Sequence, residues 1–337
     1  MYLKKLKHPE YFQGNKKKKN YFEGWYYKLV NKNGDHTIAL IPGISLNLKD
    51  PHAFIQVFIS NTVGQKTKLS SYYVRFNKED FSYGYDEFYV KIGPNYFSKD
   101  KVSLDLKHEK FSLFGILSLH DLTPIQTSIV SPNIMGSFGY LGFMECYHGV
   151  ISMDHHLDGS FKLNGEIISF DHGKGYIEKD WGRSFPRAYV WLQSNHFKDS
   201  TTSLMFSYAD IPFLGFYFKG LIANLIFQGK EYRFATYNGG KVIKEEVKDK
   251  KVIYMLKRRS YKLFIEASST TEISLASPRN GMMIEQIKEG LSGKISIKLF
   301  YKDQLIYEDL GQHAGIEIMK WWLSIDNASF FYYSIYG

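Results

Sequence analysis

Strand-like runs follow one another along most of the chain, broken about every ten residues by turn signals, and no long segment carries a helical period. Runs such as 25–30, 53–60, 71–76, 87–92, 102–106 and 111–119 are rich in β-branched and aromatic residues. Later runs at 149–153, 188–193, 203–208, 230–237, 251–257, 261–267 and 294–301 repeat the pattern. NKNGD at 31–35, LDGS at 157–160, FQGKE at 227–231 and YNGG at 237–240 supply the turns. Short strands at this spacing build barrels or sandwiches, so the expected fold is all-β and antiparallel. The 337 residues are enough for about two domains. The expected division is a basic arm over 1–20, one β domain over 21–186 and a second over 187–337, the boundary falling near Pro186. A hydrophobic pocket is expected where the two meet, because ligand sites favour domain junctions. The turn-rich stretch 123–142 reads as a long irregular connection, and loops of that length often serve function.

Aromatic residues reach 17% of the chain, with 26 Phe, 26 Tyr and 5 Trp. They suit either a ring-filled β core or a cavity for a greasy ligand. The net charge is +9, and seven lysines before residue 20 contribute to it. Such a segment is usually a solvated arm, and it would also suit an anionic membrane surface. No nucleic-acid motif accompanies it. The single cysteine, Cys146, excludes an intramolecular disulfide and fits a reducing compartment. The first residues lack a signal-peptide core, and the most apolar stretch, 211–229, is interrupted by Lys219, Asn224 and Gln228. A cytoplasmic protein is expected, with peripheral membrane contact through the N-terminal lysines. No phosphate-binding loop, nucleotide fingerprint, nucleophile elbow or HExxH zinc motif occurs, so kinase, dehydrogenase and serine-hydrolase chemistry lacks its main supports.

The segment GYIEKDWGRSFP at 175–186 carries the most chemistry. Side chains alternate along a strand, so Tyr176, Glu178 and Asp180 share one face and Ile177, Lys179 and Trp181 the other. Two neighbouring carboxylates resist double ionisation, and one of them then keeps a proton and can act as a general acid. The plain alternative is a solvated strand edge that ends at Gly182. FEGWYYK at 22–28 aligns Glu23, Trp25 and Tyr27, either as a carboxylate in an aromatic pocket or as the exposed start of a strand. In FMECYHGVISMDHH at 143–156, Glu145 and His148 lie three apart and meet only across a bulge or turn. Adjacent His155 and His156 would point apart, and no matching ligand spacing exists, so no metal is expected. WLQSNHF at 191–197 aligns Trp191, Gln193 and Asn195, whose amides either satisfy the backbone or hold a ligand oxygen. QHAGIE brings His313 and Glu317 together near a strand end.

These segments together resemble the tocopherol cyclase family. FEGWYYK, MECYHGVISMDHH, GKGYIEKDWGRSFPRAYVWLQSNHF, FATYNGGK, SPRNGMM and HAGIE run in order from residue 22 to 317. The resemblance implies two lipocalin-like (calycin) β domains around a hydrophobic pocket, with relatives that hydrate carotenoids or guide pericyclic ring closure. It implies acid-catalysed closure of a prenylated phenol or quinol to a chromanol ring, an isomerisation needing no cofactor. The alternatives are a binder that returns an isoprenoid or lipid unchanged, and a hydratase in which water captures the cation. In the cyclase reading Asp180 is the acid and Glu178 its like-charge partner, with Glu145 and His148 as second candidates for acid and phenol acceptor. Tyr176, Gln193 and Asn195 orient the quinol oxygens. Trp25, Trp181 and Trp191, with Glu23 and Tyr27, line the cavity.

Overall fold

A computed structural model of the chain describes residues 5–319 except 65, 214 and 270. Strands dominate it. The first twelve are β1 Tyr21–Val30, β2 His36–Leu46, β3 His52–Val63, β4 Lys66–Asn77, β5 Phe81–Tyr83, β6 Tyr89–Ile92, β7 Asn95–Ser98, β8 Lys101–His108, β9 Phe111–His120, β10 Cys146–Leu163, β11 Glu166–Ser169 and β12 Gly173–Gly182. They form one sheet in the order β4-β3-β2-β1-β12-β10-β9-β8-β7-β6-β5, with β11 on β10. The remaining strands are β13 Tyr189–Ser194, β14 Ser203–Phe213, β15 Phe216–Phe227, β16 Lys230–Ala235, β17 Lys241–Lys248, β18 Lys251–Arg258, β19 Tyr261–Ser268, β20 Ile273–Arg279, β21 Met282–Tyr301 and β22 Gln304–Met319. Their order is β16-β15-β14-β13-β22-β21-β19-β18-β17, with β20 on β21.

The chain divides into two compact units. One holds the residues up to Phe185 together with Ile273–Gln286; the other holds Pro186–Glu272 and the residues from Ile287 onward. Each has its own apolar core. In the first, Trp25, Tyr27 and Leu29 of β1, Leu40 of β2, Val57 of β3 and Leu117 of β9 share a cluster with Phe97 and Ile177. In the second, Val190 and Leu192 of β13 pack with Phe206, Leu225, Tyr254 and Ile316. The stretch 211–229 takes in the end of β14 and all of β15, which pair as a hairpin with Phe213 opposite Phe216. Among the described residues no helix is long and apolar enough to cross a membrane.

The N-terminal segment corrects the expectation of a solvated arm. Leu6 and Phe12 are buried, and Phe12 belongs to the first core. The reason lies on the core face of β1 and β12, where Glu23 and Lys179 form a fully buried ion pair. The Lys179 ammonium also donates to the carbonyls of Pro9 (2.8 Å) and Tyr11 (2.6 Å). Glu23 accepts from the backbone N–H groups of Gln13 and Gly14 and from the Tyr21 hydroxyl. A buried ion pair is tolerated only when its remaining donors and acceptors are satisfied, and residues 9–14 satisfy them. Among the described residues of this region, Lys16–Lys19 form the exposed basic run.

Candidate functional site

β12 lies between β1 and β10, with Glu178 opposite Tyr26 and Val150, and Asp180 opposite Gly24 and His148. Ile177, Lys179 and Trp181 turn to the core side, and Tyr176, Glu178 and Asp180 turn away from it. The strand ends at Gly182, whose φ is +147° and where a Cβ would stand 2.2 Å from the Glu145 carbonyl oxygen. Only glycine fits there.

On the face away from the core, four groups meet. His148 Nδ1 lies 2.9 Å from Asp180 Oδ1, and its Nε2 lies 3.5 Å from Glu178 Oε2. The Tyr176 hydroxyl donates to Glu178 Oε2 at 2.5 Å. Accessibility falls along the chain of contacts, with the Asp180 side chain 26% exposed, His148 14% and Glu178 6%. Burial pushes the His148 imidazole toward the neutral form, but the Asp180 and Glu178 carboxylates outweigh it and raise its pKa to about 9. Burial, reinforced by Glu178, raises the Tyr176 phenol well above its usual value. The expected picture of two carboxylates repelling one another is therefore corrected: an imidazolium stands between them. His148, Glu178 and Asp180 each offer a ligand atom, all within 4.8 Å of one another, so the trio could also hold a cation.

A model of the tocopherol cyclase-like family matches residues 131–319, more than half of the chain and a span that includes this cluster. The chain belongs to that family. An 85-residue stretch is 28% identical to "Probable tocopherol cyclase, chloroplastic" of Oryza sativa subsp. japonica, covering 24% of this chain and 18% of the rice protein's length. The fold is shared with solved structures of lipocalin-like β proteins. A protein of Nitrosomonas europaea described as a "putative AttH" superposes with a TM-score of 0.51 at 15% identity, covering 88% of this chain and 92% of that one. CghA bound to Sch210972 superposes with a TM-score of 0.57 at 8% identity, over 89% and 88%.

For this tocopherol cyclase-like chain, the other residues singled out from the sequence fall into separate places. Glu23, Trp25 and Tyr27 do share a face, but it is the core face of β1, opposite the one that carries Asp180. Their polar atoms have structural partners there: Trp25 Nε1 donates to the Glu10 carbonyl and the Tyr27 hydroxyl to the Ser98 carbonyl, both at 2.9 Å. Trp181 is on that side too, stacked on Tyr147 with ring centroids 5.5 Å apart, and Lys179 sits 4.9 Å from its ring. Gly182 does not turn it toward Asp180. Glu145 precedes β10, so no bulge brings it to His148; its carboxylate lies 3.7 Å from the Arg183 guanidinium.

His155 and His156 point apart as expected. His155 is buried, its Nδ1 3.2 Å from Ser152 Oγ, and burial with neighbouring His156 lowers its pKa to about 3. His156 is exposed near Asp121. In the second unit Trp191 and Gln193 lie on the β13 face away from that unit's core, Asn195 follows the end of the strand, and all three are buried. Glu317 is opposite Trp191 and accepts the Tyr189 hydroxyl at 2.7 Å, and His313 packs edge-on against His196. Sequence reasoning missed Gly24, Tyr26 and Lys28, which occupy the Asp180 face of β1. Their alternation with Glu23, Trp25 and Tyr27 was the available signal.

Proposed function

We propose that the protein closes a ring on a prenylated phenol or quinol by adding the phenolic O–H across a side-chain alkene. The observation that carries this reading is the His148 ring placed between Asp180 and Glu178, with Asp180 at the accessible end. An imidazolium with a pKa of about 9 is a weak acid toward an alkene. Moving its Nδ1 proton across the 2.9 Å contact produces a carboxylic acid on Asp180, a stronger donor. Asp180 then protonates the less substituted alkene carbon. The phenol oxygen captures the tertiary cation and returns its proton to the carboxylate–imidazole pair, so substrate and product have equal mass and no electrons are exchanged. Glu178, fixed by the Tyr176 hydroxyl, holds the imidazole from its other side.

Asp180→Asn keeps the shape and removes the acid. Turnover should fall about 10²–10⁴-fold, the range for positioned proton transfer. Near-normal turnover by the folded variant would sink the assignment. Mass spectrometry of a prenylated quinol incubated with the wild-type protein separates the remaining readings. Equal mass with a chroman ultraviolet spectrum supports cyclisation, a gain of one water makes the protein a hydratase, and unaltered quinol makes it a binder. Supply of so apolar a substrate suits contact with an anionic membrane through Lys16–Lys19, and loss of liposome binding on adding salt tests that contact.

A further inference from the structure

β1 is buried at every position except Gly24, which is partly accessible. Gly24 stands opposite Asp180 on one side and Gly43 of β2 on the other. Across four neighbouring strands the row on the face away from the core therefore reads His148, Asp180, Gly24, Gly43: the acid cluster, then two residues without side chains. Neither glycine has a left-handed φ, so backbone conformation does not require them. Gly43 has a packing reason. A Cβ there would lie 2.4 Å from the Phe54 ring, which covers it and is stacked on Tyr73 with centroids 5.2 Å apart.

Gly24 is less crowded than Gly43, with no ring lying over it as close as Phe54 lies over Gly43. A Cβ there would lie 3.2 Å from Ile41 Cγ2, a tight contact that the Ile41 side chain would have to relieve by a few tenths of an ångström, and 3.8 Å from the Pro42 carbonyl oxygen. Gly24 is partly accessible, as are Ile41, Asp180 and His148 beside it. Phe22, Tyr26 and Phe54 on the same face are buried, and Phe22 is braced edge-on by Phe185 at 5.4 Å. A glycine inside a strand weakens the strand, and its common use is to let a ligand or another backbone approach closely.

We propose that Gly24 is the floor of the hollow that seats the reacting end of the ligand, a trisubstituted alkene beside a flat phenol ring. Neighbouring strands are about 4.8 Å apart, so an alkene resting on Gly24 lies within reach of the Asp180 carboxyl. Phe22, Tyr26 and Phe54 supply rings near the developing cation, which aromatic faces attract. This inference rests on the ring-closure reading and names the residue that sets how bulky the reacting end can be.

The test is the binding of 2-geranylhydroquinone by calorimetry to wild type, Asp180→Asn, Gly24→Ala and Gly24→Val, with turnover measured in parallel. Valine suits a strand, and the His148 titration followed by NMR reports whether the cluster stays intact. Wild type and Asp180→Asn should bind alike. Gly24→Val should bind about tenfold or more weakly, with Gly24→Ala between, because groups added to a filled site carry discrimination of that size. Binding by Gly24→Val equal to wild type would overturn the proposal. Failure of the wild type to bind the quinol would overturn the ligand class. Binding without turnover in the wild type, weakened in Gly24→Val, would refute the catalytic reading and support the hollow.

Discussion

His148 sets the charge of the cluster at neutral pH, and its effect on stability has a definite sign. The folded chain holds the imidazolium proton more tightly than an unfolded one does, with a pKa of about 9 against the usual 6.5. Its contribution is complete below about pH 6.5 and is lost as pH rises through about 9. A shift of that size corresponds to about 3 kcal/mol at most. The stability difference between wild type and His148→Gln, from urea titrations at a series of pH values, should therefore shrink from pH 6.5 to above 9. Taking the difference removes Lys179, whose buried ammonium is lowered to about 8 by burial against the opposing pull of Glu23 and works in the other direction. A constant difference would mean that the imidazolium is not held by these carboxylates. The proton-transfer reading also predicts that dialysis against a chelator leaves turnover unchanged, and a loss restored by one divalent cation would move His148, Glu178 and Asp180 to the role of ligands.

At the scale of strands, the β10–β12 pair shows how closely the site depends on register. Irregularities between Val150 and Ser152 and between Ser152 and His155 return β10 to register with His155 opposite Gly175. The His155 ring fills the place of a side chain at Gly175, where a Cβ would stand 2.2 Å from Nε2. Gly175→Ala should cost about 1–3 kcal/mol by overpacking, and adding His155→Ala should recover part of it, as a double-mutant cycle in urea would show. The buried pair on the core face behaves differently. Lys179→Met should destabilise by about 3–5 kcal/mol because it strands the Glu23 charge, and combining it with Glu23→Gln should recover much of the loss. Alternation was readable in the sequence, and it correctly grouped Tyr176 with Glu178 and Asp180, and Glu23 with Trp25 and Tyr27. Which face met the core was not readable for β1, since nearly every residue on both sides of it is buried and a two-residue period then carries no inside or outside. His148 was visible as a candidate, but its place between two carboxylates depends on strand pairing, which local pattern does not encode.

At the scale of the molecule, the first unit draws on two distant stretches of chain. Ile273–Gln286 is held to it by paired amide contacts, with Gln56 Nε2 donating to the Ala276 carbonyl at 3.0 Å and Gln56 Oε1 accepting from the Ala276 N–H at 3.1 Å. Ser45 Oγ donates to the Gly281 carbonyl at 2.6 Å, and Gly281 N–H to the Arg183 carbonyl at 2.7 Å. A fragment ending at Phe185 lacks all four. It should melt at a lower temperature than the same residues do within the full chain, and exchange its β3 and β4 amides faster; equal protection would show that the late segment adds nothing. The all-β class was legible from turn spacing alone, but nothing in the local pattern announces that a segment near residue 280 completes a unit begun at the N-terminus. That arrangement has a consequence in time. About 100 residues separate Phe185 from Gln286, and at about 5–20 residues per second a ribosome needs about 5–20 s to make them. Through that interval the early strands wait with the partners of Gln56 and Ser45 unmade, and the first unit gains these four hydrogen bonds only when its last segment emerges.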